Sequence, residues 1–93
     1  MNAKDLLKKA AEHMDARAET YDKEGGERSM SATVAAFNAI TGRDLTEADG
    51  WLLLDILKQV RLFANKGYHA DSAEDHVAYA ALLAEAKMRE SQI

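Results

Sequence analysis

The stretch 52-LLLDILKQVRLF-63 decides the fold. At the helical turn of about 100° per residue, its apolar side chains fall on two sides rather than one. Leu53, Ile56, Leu57, Val60, Phe63 and Ala64 form a broad face, expected to be the core face. Trp51, Leu54 and Leu62 lie on the other side, among Asp55, Lys58 and Arg61. A helix apolar on two sides must be covered on two sides. A small bundle covers one of them. A partner chain is expected to cover the other, which predicts a homodimer or larger homo-oligomer.

Helical periodicity extends in both directions from this stretch. Residues 3–22 carry Leu6, Leu7, Ala10, Ala11, Met14, Ala18 and Tyr21 on one stripe, with Glu12, Asp15 and Glu19 beside it. "KEGGERS" interrupts the pattern, and Gly25–Gly26 marks a turn. "SATVAAFNAITG" predicts a helix over 31–41, capped by Ser29 or Ser31 and ended by a left-handed Gly42. Thr46 and Asp49 approximate a capping box for a helix over 47–65, with Asp shorter than the usual Glu. Residues 72–90 form the last helix. Asp71 with Glu74 has capping-box spacing, or Ser72 is the cap. Nothing alternates with period two, so no strand is expected. The reading is an all-α, four-helix bundle-like single domain over residues 1–93.

Composition agrees. Proline is absent and glycine sparse, which favours helix. The chain has 93 residues and no cysteine, so no thiolate metal site, thiol nucleophile or disulfide framework is available. A domain this small buries only about 60–65% of its unfolded surface, so its own core gives marginal stability. The net charge of −4 argues against general nucleic-acid or anionic-membrane binding. No apolar run reaches the roughly 18–20 residues of a membrane span. "MNAKDLLKKAAEHMDAR" lacks the apolar core of a signal peptide. A cytoplasmic protein is expected.

The charges on apolar faces raise the question of function. Asp75 shares a helix side with Tyr79, Leu82, Leu83 and Ala86. An unpaired charge there is costly to bury. Lys58 and Arg61 are the candidate partners, and Asp55 also stands three residues from Lys58. One reading is a satisfied interhelical pair. The other is a phosphate or nucleotide site. There Arg61 and Lys58 contact phosphate oxygens, Asp55 and Asp75 hold Mg²⁺, and Tyr79 or Trp51 stacks on a base.

The parts "YDKEGGERSM", "FNAITG", "LTEADGWL", "LKQVRLF" and "YHADSAEDHVAYAAL" resemble a family of small phage and prophage proteins of unassigned function, over roughly residues 10–87. That family is in turn distantly similar to the all-α MazG-type nucleoside triphosphate pyrophosphohydrolases. In those enzymes an E-x-x-E helix and an E-x-x-D helix bind Mg²⁺, which activates water and neutralises the triphosphate. They dimerise through helices apolar on two sides.

Laid over this chain, Asp55 and Lys58 fall where the two glutamates of the first motif stand. Asp75 falls at the aspartate of the second, and Ser72 at its glutamate. Two of the four carboxylates are missing, and one is replaced by a cation. Such a set holds a divalent ion far more weakly. The overlay makes Lys58 an internal cation between Asp55 and Asp75. The resemblance thus implies a phage-encoded, non-catalytic accessory protein that binds a nucleotide, a phosphate ligand or a host protein. The alternative is a pyrophosphohydrolase with a reduced site, using Asp55, Asp75 and Glu74 around one Mg²⁺.

Remaining signals are weaker. Glu12, Asp15 and Glu19 read as a solvated face. His13, His69 and His76 lack ligand spacing, so no metal site is expected. Ser29, Ser31 and Ser72 lack the context of a nucleophile. Tyr21, Lys23 and Arg28 flank the two glycines. They make the loop either a plain turn or a cradle for phosphate or a partner.

Overall fold

The computed structural model describes residues 1–21 and 29–92. It contains α1 (Ala3–Tyr21), α2 (Ser29–Thr41), α3 (Glu47–Ala64) and α4 (Ala70–Glu90), and no strand among the described residues. The all-α expectation holds. Lys23 and Arg28 lie outside the described residues, as does the side chain of Tyr21.

The centre of the fold is the pairing of α3 with α4, which share the largest interface. Two contacts fix the direction. The Glu90 carboxylate accepts from the Ala48 backbone N–H at 3.4 Å, and Arg89 reaches Glu47 at 3.4 Å. The end of α4 therefore meets the start of α3, as in an antiparallel hairpin. Glu90 also places negative charge where the α3 dipole is positive. α1 packs on α4, and α2 packs on α3.

Local chemistry sets the helix ends. At the start of α3 the Thr46 hydroxyl accepts from Asp49 N–H at 3.2 Å, and Asp49 accepts from Thr46 N–H at 2.8 Å. The shorter Asp therefore completes the reciprocal cap. Gly42, at φ +72°, ends α2 in the left-handed region. The Asn38 side chain then fixes the loop by donating to Leu45 C=O at 2.9 Å and accepting from Leu45 N–H at 2.8 Å.

Two expected caps fall elsewhere. α2 already includes Ser29 and Ser31. α4 begins at Ala70, ahead of the expected start, and neither Ser72 nor the Asp71–Glu74 spacing caps it. His69 holds the cap position without a side-chain cap bond. Ser72 is fully buried and shares a hydrogen bond with His69 Nδ1, so its hydroxyl is committed inward.

The core gathers Met30, Ala48, Trp51, Leu82 and Ala86, flanked by Met14, Val34, Leu54, Tyr79 and Leu83. Trp51 is 2% exposed, and among the described residues its Nε1 has no hydrogen-bond partner. Gly50 lets α2 approach α3 closely. A Cβ at that position would overlap Met30 Sδ and stand 2.8 Å from Val34 Cγ1.

The orientation of α3 reverses the expected one. Leu53, Ile56, Leu57, Val60 and Phe63 are not core but exposed, with Phe63 at 86%, Leu53 at 63% and Val60 at 59%. The side carrying Trp51, Leu54, Asp55 and Lys58 faces inward instead. Two contacts set this rotation: Gly50 must face α2, and Trp51 must face Tyr79 of α4. The arrangement is open. The radius of gyration is 14.2 Å, against about 12 Å for a compact domain of this length. Among the described residues, no helix is long and apolar enough to cross a membrane.

Candidate functional site

The inward side of α3 and the facing side of α4 form a polar seam. Helical spacing puts Asp55, Lys58 and Gln59 on neighbouring turns of α3. Asp75 and His76 approach them from α4. Lys58 Nζ stands 2.9 Å from Asp75 Oδ2. His76 Nδ1 is in hydrogen-bond contact with Asp55 Oδ1, and Gln59 Nε2 donates to Asp55 Oδ2 at 3.4 Å. A carboxylate only accepts, so the contact places a proton on His76 Nδ1.

Burial differs sharply between the two carboxylates. The Asp55 side chain is 8% exposed, whereas the Asp75 side chain is 34% exposed. The costly buried carboxylate is therefore Asp55, not Asp75. Its partner is His76, whose spacing in the sequence suggests no such role. Among the described residues Lys58 pairs with Asp75 and not with Asp55, so it does not bridge both carboxylates as the overlay expects.

A second buried carboxylate lies nearby. Glu74, on the side of α4 facing α1, accepts from His13 Nε2 at 3.1 Å. This contact ties α1 to α4. Neither the His13–Glu74 pair nor the His76–Asp55 pair is legible in the sequence, because each joins residues distant along the chain. No local spacing announces either one.

The remaining candidates are not assembled with the seam. Arg61 is exposed near the end of α3. Tyr79 is half-buried against the Trp51 ring, with centroids 5.6 Å apart and planes inclined by 32°. Trp51 itself is enclosed in the core, so it presents no face to a base. Among the described residues, no three His, Cys, Asp or Glu side chains are grouped as metal ligands. Glu12 and Asp15 are exposed on α1.

Chemically, the seam is closed on itself. Each of its charges already faces a counter-charge or a hydrogen-bond partner. A concave surface lies elsewhere, as a groove of about 220 Å³ between α2 and α3, with Arg17 of α1 also on its wall. Met30, Val34, Phe37, Gly50, Trp51 and Leu53 contribute to its wall, and the lining is mostly apolar. Leu53 belongs both to this groove and to the exposed α3 stripe. Comparison of the chain with protein-family models, curated proteins and solved structures gives no match.

Proposed function

We propose that the protein is a non-catalytic helical interaction module. It self-associates and serves as a phage or prophage accessory factor that engages a protein partner. The observation carrying this reading is the uncovered apolar stripe of α3, from Leu52 and Leu53 to Phe63. Monomers rarely expose contiguous apolar patches beyond a few hundred Å², and larger ones mark interaction surfaces.

The seam supports the same reading. A phosphate ligand needs free cations, and Lys58 is occupied by Asp75. Arg61 stands apart from it. A pyrophosphohydrolase needs carboxylates free to coordinate Mg²⁺. Asp55 is held by His76 and Gln59, Asp75 by Lys58 and Glu74 by His13. Recruiting them means breaking the braces between helices. The reduced metal site is therefore the weaker alternative.

The test incubates purified protein with the common NTPs and dNTPs plus Mg²⁺ or Mn²⁺, with chromatography for monophosphate and pyrophosphate. Expected are no product and no nucleotide-dependent shift in melting temperature. Light scattering at micromolar concentration should give a mass above the 10.2 kDa of one chain. Product that disappears in Asp75→Asn would overturn the non-catalytic reading. A stable monomer would overturn self-association.

A further inference from the structure

We infer that the uncovered stripe of α3 pairs with the same stripe of a second copy, antiparallel, about a two-fold axis passing between Ile56 and Leu57. This rests on the self-association proposed above and specifies its geometry.

Three observations carry it. The first is area. Leu52, Leu53, Ile56, Leu57, Val60 and Phe63 are all large and exposed on one helix. From typical side-chain areas they leave uncovered roughly 600 Å². Phe37 of α2, which lines the same groove as Leu53, is also exposed, which brings the total toward the roughly 800 Å² per partner of a standard interface.

The second is register. Viewed along the helix, Leu53, Ile56, Leu57 and Val60 are symmetric about the Ile56–Leu57 midpoint. Reversing the helix sets Leu53 against Val60 and Ile56 against Leu57, apolar on apolar throughout. A two-fold interface requires this kind of self-complementary patch.

The third is charge. Within α3 the first turn carries Glu47 and Asp49, and the last turn carries Arg61. Asp49 and Arg61 are exposed at opposite ends of the stripe. Among the described residues Arg61 takes part in no ion pair. Antiparallel pairing brings the acidic end of one helix to the basic end of its mate and opposes the two dipoles. Parallel pairing sets like charges side by side.

The chain contains no cysteine, so introduced thiols report cleanly. Leu53→Cys, Val60→Cys and their equimolar mixture are each oxidised, with the mass of the unmodified protein measured by light scattering. In the antiparallel dimer, position 53 faces position 60, while two copies of position 53 are about 10 Å apart along the axis. That exceeds the reach of a disulfide, about 7 Å between Cα atoms. The mixture should therefore cross-link at least ten-fold more than either variant alone. Equal cross-linking by the single variants would mean parallel pairing and overturn the inference. A dimer by light scattering without cross-linking would place the interface elsewhere, overturning the inference but not self-association. A monomer would sink both. Leu57→Glu, at an exposed position, should keep its helical circular dichroism and weaken dimerisation at least 100-fold. An unchanged dimer would exclude this face.

Discussion

Lys58 Nζ lies 2.9 Å from Asp75 Oδ2, across the seam between α3 and α4. The same two residues that suggest a charged site in the sequence thus neutralise each other in the fold. Their pairing spans two helices and contributes to holding the hairpin in register. Its strength is limited by solvent, since about a third of the Asp75 side chain is exposed. A double-mutant cycle with Lys58→Met and Asp75→Asn should give a coupling of about 1 kcal/mol, near the upper end for solvent-accessible pairs. Urea unfolding at fixed protein concentration measures it, because association itself shifts apparent stability. A coupling of zero would mean the pair does not brace the hairpin.

The Asp55–His76 contact should respond asymmetrically. Asp55 is buried and His76 is half-exposed. Removing the imidazole leaves an enclosed carboxyl group with only the long Gln59 bond. Removing the carboxyl leaves a histidine that water reaches. His76→Ala should therefore cost about 2 kcal/mol, below the loss from a fully buried pair because water reaches the His76 side. Adding Asp55→Asn to that background should recover about 1 kcal/mol, since the amide is cheaper to bury than the acid. Denaturant midpoints for the three variants decide this. A further loss in the double variant would place Asp55 outside the buried pair.

The helices and some of their ends are readable from the residues, because those features are local. Periodicity finds four helices, Gly42 marks an end, and Thr46 with Asp49 marks a start. The facing of α3 is not readable in this way. Its two sides are both apolar, so hydrophobicity alone does not say which faces inward. The larger stripe is the reasonable choice by burial, and it is the exposed one. The deciding contacts are Gly50 on Met30 and Val34, and Trp51 on Tyr79. The second of these depends on a helix that comes later in the chain. The seam was half readable for the same reason. Asp55, Lys58 and Asp75 stand out as charges on apolar faces. His76 and His13 become partners only once the crossing of the helices is known.

Gly50 offers a test of that rotation. On an isolated helix, Gly→Ala gains about 1 kcal/mol of propensity. Here the added Cβ meets Val34 Cγ1 at 2.8 Å and overlaps Met30 Sδ. Met30 is flexible, but the branched Val34 is stiff. Overpacking of this kind costs about 1–3 kcal/mol, which outweighs the propensity gain. Gly50→Ala should lower the melting temperature, and Gly50→Ala with Val34→Ala should recover part of the loss. A stabilised single variant would mean α2 does not press on α3 at this point.

Asn38 governs the other contact between these helices. Its side chain donates to and accepts from the Leu45 backbone, closing the loop that turns α2 into α3. Because α2 packs chiefly on α3 among the described helices, this loop is a large share of what holds it in place. Asn38→Ala removes both bonds and leaves the Leu45 groups without protein partners. Each bond is worth about 1 kcal/mol, so the expected cost is about 1–2 kcal/mol. Asn38→Asp keeps only the acceptor and should fall between the two. Hydrogen exchange distinguishes the consequence: amides of α2 should lose protection in Asn38→Ala while those in the middle of α3 and α4 keep theirs. Uniform loss across all helices would instead mean that α2 unfolds only with the whole domain.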